Sequence, residues 1–309
     1  MGHRCNYLIK EGAQTSIFYS QWGALGLLAD VLAGPTPLVR MIRECTPEKE
    51  LLDSVFAEGV VLVDLDRNEL TVWGGSSVQY LRPVRAAYLQ LLQASWPKWK
   101  VGWSRSGIVG IVEALGGDTT EVERNALTCP DVAKLEARSS TPFTWATLLE
   151  EGAVLDVGLN PEPGEVLLLG PSLLQYVRGK APGVLPREDN LGGGVLVCPE
   201  QRSLHWWSSG RYWPSDSQLA ACWPGWGLQY LEGGLPAQVK LSGREPHAVA
   251  LSEAEVCAYL TSELFPRTAP DPVNSLLRLA ERLRQQGNPV TINPEALRYP
   301  SITSSETEH

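Results

Sequence analysis

No stretch of this 309-residue sequence approaches the roughly 18 to 20 uninterrupted apolar residues of a membrane span. The opening run, MGHRCNYLIKEG, is broken by Lys10 and Glu11 and lacks a signal-peptide core. Asn6 stands where N-myristoylation needs Ser or Thr. The six cysteines are scattered and none falls in a Cys-x-x-Cys pair, which excludes a zinc knuckle and a paired-thiol redox motif. Basic residues are in the minority: 26 Lys and Arg face 35 Asp and Glu, a formal net charge of −9. A nucleic-acid binder would carry a basic patch instead. Histidine is scarce too, with only His3, His205, His247 and His309, which leaves little material for triad chemistry. These absences predict a cytoplasmic protein with reduced, mostly buried thiols, no membrane contact and no nucleic-acid partner. No cofactor or resident metal is expected, and the oligomeric state is not legible.

What is present is 43% hydrophobic and 20% charged residues, the balance of a folded globular chain. Its length suffices for one large domain or two ordinary ones. Within it the sequence repeats itself. EGVVLVDLDRNELTVWGG from Glu58 and GGVLVCPEQRSLHWWSS from Gly193 share five residues at an offset of 134: Val61/Val195, Leu62/Leu196, Val63/Val197, Leu70/Leu204 and Trp73/Trp207. WPKWKVGWSRSGIVGIVEALGG from Trp96 and WPGWGLQYLEGGLPAQVKLSGR from Trp223 share five more at an offset of 127: Trp96/Trp223, Pro97/Pro224, Trp99/Trp226, Gly107/Gly234 and Gly116/Gly243. What the copies share is apolar residues, Trp and Gly, so the repeat reads as an architectural module and not as duplicated chemistry.

The pattern predicts an α+β fold of two related β-hairpin/helix modules with antiparallel sheets and a helical C-terminal segment. Residues 1–117 hold an N-terminal hairpin and the first module, and 118–150 a helical connector that includes a helix start at Thr141-Pro142. Residues 151–245 hold the second module, and 246–309 the helical segment and a polar tail. Each hairpin is two apolar runs around a turn-forming cluster, as in Asp66-Arg67-Asn68. The N-terminal hairpin, ending at Trp22, reads as a weaker relative of the Val60–Trp73 hairpin. Helix starts are expected at Thr36-Pro37, at Thr46-Pro47 (running to about Phe56), at Pro83 and at Asp271-Pro272. Ser252 and Glu255 form a capping box. The spacer between the two blocks is seven residues shorter in the second copy, which has therefore lost part of a helix or moved it.

Candidate chemistry is sparse. Asp64 and Asp66 follow an apolar strand as a Mg²⁺-holding pair would, and the same residues suit a hairpin turn. Cys198 and His205 lie on facing strands and form a candidate Cys-His pair, though Asp64 and Thr71 replace them in the first copy. Gly102-Trp103-Ser104-Arg105-Ser106 lacks the final Gly of a nucleophile elbow. Gly192-Gly193-Gly194 precedes a strand and reads as a flexible loop, not a phosphate cradle. Gly179-Lys180 lacks the other residues of a P-loop. Eleven tryptophans exceed what a core requires. Trp206, Arg211, Tyr212 and Trp213, specific to the second copy, are the candidate exposed partner-binding surface.

The segments HRCNYLIKEGAQTSIFYSQWGAL, EGVVLVDLDRNELTVWGG and SWPKWKVGWSRSGI resemble a group of poorly characterised bacterial proteins of about 300 residues. The resemblance covers about the first 115 residues directly and the rest through the repeat. It links the chain to accessory genes that include candidate immunity proteins of secreted toxins, and it brings no catalytic residues. It implies a non-enzymatic binding protein that occludes a basic partner such as a cognate toxin domain. The alternative is a hydrolase or transferase with its site at the junction of the two modules, using Asp64, Asp66, Cys198 or His205.

Overall fold

The computed structural model describes residues 3–123, 143–209, 214, 216–246, 250–265 and 272–294. The chain divides into two compact units, Met1–Glu263 and Leu264–His309.

The first unit begins with an antiparallel hairpin of β1 (Cys5–Glu11) and β2 (Gln14–Ser20). Helices α1 (Gly23–Leu32) and α2 (Pro35–Arg43) follow, joined through Gly34 at φ 92°, a left-handed geometry that a residue with a Cβ adopts only under strain. After β3 (Thr46–Glu48), β4 (Gly59–Asp64) and β5 (Glu69–Gly74) form a second hairpin. Then come α3 (Ser76–Tyr80), α4 (Arg82–Ser95), β6 (Lys100–Trp103) and α5 (Ile108–Ala114). The six strands make one sheet in the order β3-β2-β1-β4-β5-β6.

A second sheet is assembled in the same succession. The hairpin β7 (Thr144–Glu150) and β8 (Ala153–Leu159) leads into α6 (Pro163–Leu168) and α7 (Ser172–Arg178). The hairpin β9 (Gly193–Cys198) and β10 (Ser203–Ser208) is followed by α8 (Asp216–Cys222), β11 (Gly227–Tyr230) and α9 (Gly234–Leu241). Its order, β11-β10-β9-β7-β8, repeats the neighbours of the first sheet without a counterpart of β3. Helix α4 has 14 residues and α8 has seven, so the shorter spacer is a shorter helix.

Both sheets are mixed, and the expected antiparallel sheets are corrected. Only the hairpins and the β2–β3 edge are antiparallel. β1 pairs parallel with β4, β5 with β6, β7 with β9 and β10 with β11. Each parallel pair follows a helical crossover, the connection that parallel neighbours require. The Thr46-Pro47 segment is a short edge strand and not a helix; Pro47 faces Phe18 at the sheet edge, where its missing N–H costs no ladder bond. Residues 144–150, expected in a helical connector, form β7, and the second sheet therefore begins before residue 151. Thr141-Pro142 lies outside the described residues. No helix among the described residues is long and apolar enough to cross a membrane.

Helices cover both faces of each sheet, because alternate strand residues are apolar on both sides. In the second sheet, Val195, Val197, Leu204 and Trp206 pack with Leu167, Leu173, Leu219 and Trp223 from α6, α7 and the end of α8. The opposite face carries Trp145 and Trp207 against Leu235 and Val239 of α9. In the first sheet, Leu8, Val60, Leu62 and Trp73 pack on Ile108, Ile111 and Val112 of α5. Trp96 donates its Nε1–H to Val31 O at 2.7 Å, and Trp223 donates to Leu167 O at 2.7 Å. Trp99 and Trp226 stand edge-on to them, each at 4.9 Å between ring centroids. Arg43 pairs with Glu11 and Arg178 with Glu150, each tying a helix end to a strand end.

Near the end of this unit, helix α10 (Glu253–Leu264) starts at a capping box in which Ser252 and Glu255 bond reciprocally. In the second unit, α11 (Pro272–Gln285) ends at Gly287, φ 82°, with the Asn288 N–H donating to Leu283 O.

Candidate functional site

The carboxylates at Asp64 and Asp66 are turn builders. Asp64 Oδ1 accepts the amides of Asp66 at 3.1 Å and Arg67 at 3.0 Å, and Lys10 Nζ lies 3.3 Å from its other oxygen. Burial pushes the Asp64 pKa up, but the Arg67 amide, Lys10 and the Asp66 amide outweigh it and hold the carboxyl below its ordinary range. Asp66 Oδ1 accepts the Gly12 amide at 3.1 Å, fastening the two hairpin turns of the first sheet together. Glu200, 134 residues on, does the same for the Glu151 amide at 2.7 Å. Among the described residues no three His, Cys, Asp or Glu side chains are placed to share a metal ion.

Cys198 and His205 do not form a pair. Cys198 is opposite Ser203 in the β9–β10 register, and His205 is opposite Leu196. Burial raises the Cys198 thiol, with Ser203 opposing, so it is held protonated and away from nucleophilic use. Burial lowers the His205 pKa, partly offset by Gln229, and its Nδ1 is buried without a hydrogen bond. Ser104 spends its hydroxyl on Gly107 O at 2.6 Å, inside the turn between β6 and α5.

Trp206 is buried at 5% exposure and corrects the expectation of a partner-facing aromatic. It stands edge-on to Tyr230 at 4.8 Å within the core of the second sheet. Arg211, Tyr212 and Trp213 lie outside the described residues. The tryptophan surplus is largely spent on packing: Trp96, Trp145, Trp207 and Trp223 are all fully buried. The glycine run before β9 is also not a loose loop, since Gly193 and Gly194 are strand residues. A Cβ at Gly194 would lie 2.3 Å from Gln238 Oε1 and 2.6 Å from Trp207 Nε1. That close approach lets Trp207 donate to Gln238 Oε1 at 2.6 Å, while the Gln238 amide reaches Thr147 Oγ1 and Val195 O.

Two places stand out once the structural uses are assigned. The first is where the two sheets meet. Arg82, 5% exposed at the start of α4, donates to Tyr230 Oη at 2.5 Å and to Glu232 O, while its Nε has no partner. Glu188, 3% exposed, has both carboxylate oxygens without a hydrogen-bond partner, and the Leu235 amide beside it favours its charged form. Burial raises its pKa to about 7 against the opposing pull of Arg82 and Arg85. Arg85 is lowered to about 10, chiefly by burial. Arg82 and Arg105 lie over the Tyr230 ring, 5.1 and 4.3 Å from its centroid. Nothing in the repeat pattern marks Arg82 or Glu188, because neither belongs to a matched pair.

The second place is a groove of about 580 Å³ on the first sheet, between β1–β2, the segment at residues 49–51, and α5 with the turn that follows it. Its apolar lining is Leu8, Ile17, Leu51, Val112, Leu115 and Val122, and Glu50, Asp118 and Glu121 stand exposed around it with Lys49. Asp118 caps the short 3₁₀ turn Thr119–Glu121 by accepting the Thr120 amide at 3.0 Å. The groove can take an extended segment whose apolar parts enter and whose basic groups meet the rim.

Comparison of the chain with protein-family models, curated proteins and solved structures returned no match.

Proposed function

We propose that this chain is a non-enzymatic cytoplasmic binding protein that occludes a basic partner, in the manner of an immunity protein neutralising a secreted toxin domain. The observation that carries the reading is the apolar groove rimmed by Glu50, Asp118 and Glu121. It sits on an acidic chain, of net charge −9, which steers encounter with a basic surface. The polar residues that first suggest chemistry support it by their use elsewhere: Asp64, Asp66 and Ser104 each hold a turn together. The recurrence of strand order, crossovers and Trp contacts supports duplication of one module as the origin of the fold. The test is affinity capture of the tagged chain from its host, with mass spectrometry and titration of what co-elutes. A stoichiometric basic protein, bound at nanomolar affinity and inactivated by binding, is the expected result. A chain that returns as a monomer without partner overturns the reading.

A second reading is favoured by one observation. Glu188, with a pKa near 7 beside Arg82 and Arg85 where the sheets meet, has the character of a general acid or base in a hydrolase or transferase. Because Glu188 is 3% exposed, substrate access requires that junction to open. Turnover of chromogenic esters or phosphoesters that disappears in Glu188→Gln would select this reading; turnover unchanged in that variant, or none in the wild type, would dismiss it.

A further inference from the structure

The second sheet shows what fills the groove's counterpart. By register, Leu8 and Ile17 of the first sheet correspond to Thr147 and Asp156 of the second. Val112, Leu115 and Gly117 correspond, at the offset of 127, to Val239, Ser242 and Arg244. The backbones agree at the last position: the Gly117 amide donates to Val112 O at 3.0 Å, and the Arg244 amide to Val239 O at 3.2 Å. Gly116 and Gly243, just before, have φ 70° and 77°. In the second sheet the Arg244 guanidinium makes two hydrogen bonds to Asp156, and its Nε donates to Ser242 Oγ at 2.8 Å. The first sheet has Gly117 in that place and therefore no side chain there, and its open groove is rimmed by carboxylates instead of floored by one.

Resting on the binding reading above, we propose that the groove receives an arginine of a basic partner protein in the space that the Arg244 side chain fills in the second sheet, with its head turned to the rim because Ile17 stands where Asp156 does. The arginine stem packs on Ile17 and Leu115, and the guanidinium reaches the carboxylates of Glu50, Asp118 and Glu121. Arginine suits this place because its methylene stem is apolar while its planar head pairs with carboxylates. The chain's own second sheet supplies the geometric precedent, and the rim supplies the charge complementarity.

The test uses the full chain and three fluorescein-labelled peptides of four repeats: Arg-Leu, citrulline-Leu and Glu-Leu. Citrulline keeps the shape of arginine without its charge. The key variant is Ile17→Asp/Gly117→Arg, which gives the first sheet the Asp156–Arg244 pair and leaves net charge unchanged, so nonspecific attraction is held constant. Expected results are binding of the Arg-Leu peptide at least tenfold tighter than the citrulline peptide, and a tenfold or greater loss in the self-filled variant. Glu50→Gln/Asp118→Asn/Glu121→Gln should bring the two peptides to similar affinity. If the self-filled variant does not fold, methyl NMR on the wild type decides: peptide-induced shifts belong on Ile17, Leu115 and Val122, and shifts confined elsewhere overturn the inference. Equal Arg-Leu affinity in the wild type and the self-filled variant removes the groove as the site and leaves the basic-partner reading to rest on the chain's net charge of −9 alone. Absence of charge-dependent binding, with all three peptides alike, removes both.

Discussion

Arg105 and Glu232 each lie two residues past the last strand of their sheet, 127 positions apart, and form an ion pair with each other. Contact between counterpart positions sets a residue against its own equivalent, where identical charges would repel. Opposite charges turn that place into an attraction. Both side chains are more than half exposed, so the pair contributes no more than about 1 kcal/mol. Arg105→Glu should lower stability by about that amount. Glu232→Arg should cost more, because Arg82 also lies 3.6 Å from Glu232. Urea unfolding of both single variants measures the difference, and equal losses would show that Arg82 is indifferent to Glu232.

Beneath that pair, Arg82 and Glu188 are buried charges at the same meeting of the sheets. Without Glu188, Arg82 keeps its bonds to Tyr230 Oη and Glu232; without Arg82, Glu188, already raised to about 7, takes up a proton more readily. Arg82→Met, which also strips Tyr230 and Glu232 of a donor, should therefore cost more than Glu188→Leu, and the double variant should lose less than the sum of the two. A denaturation cycle with additive losses would mean that the two do not sense each other.

Glu188 also sets a pH dependence of known sign. Its folded pKa, about 7, lies above its ordinary value of 4.5. Its contribution to stability is thus complete below pH 4.5 and is lost as pH rises through 7. Asp64 acts oppositely: its folded value lies below 3.8, so its contribution is present above that pH and lost as acidity increases. Between pH 5 and 8 the wild type should lose stability relative to Glu188→Gln, which stays neutral throughout. Parallel stability curves for the two proteins over that range would contradict the assignment.

Trp96 and Trp223 make the same hydrogen bond to a helix carbonyl in the two halves. Trp96→Phe and Trp223→Phe should each cost about 0.5–1.5 kcal/mol for the lost hydrogen bond, in addition to lost packing, since each carbonyl keeps the amide of Gly34 or Gly170. Two closely matched changes in the denaturation midpoint are expected. A loss in one half alone would show that the shared geometry does not carry a shared energetic role.

The hairpins were legible because their signals are local. Alternating or continuous apolar runs and a turn rich in Asp, Asn and Gly identify β4–β5 and β9–β10 without distant information. The β7–β8 hairpin falls where the composition points to a helical connector, although Glu-Gly-Ala occurs at residues 11–13 and 151–153 beside the turns of both β1–β2 and β7–β8. Pro47 misled because Pro-initiated helices and Pro on edge strands look alike in sequence; the distinction is whether a neighbouring strand is present to pair with it.

The acidic balance, the positions of the repeated Trp and Gly residues, and the local turns can be read from the chain alone, because all of them depend on composition or on neighbours a few residues away. The parallel pairings, the burial of Trp206, the influence of Arg82 on Glu188 across 106 positions, and the groove left open at Gly117 come only with the tertiary fold. Those depend on which crossover brings which strand alongside, and a side chain's environment is set by what arrives there through the fold.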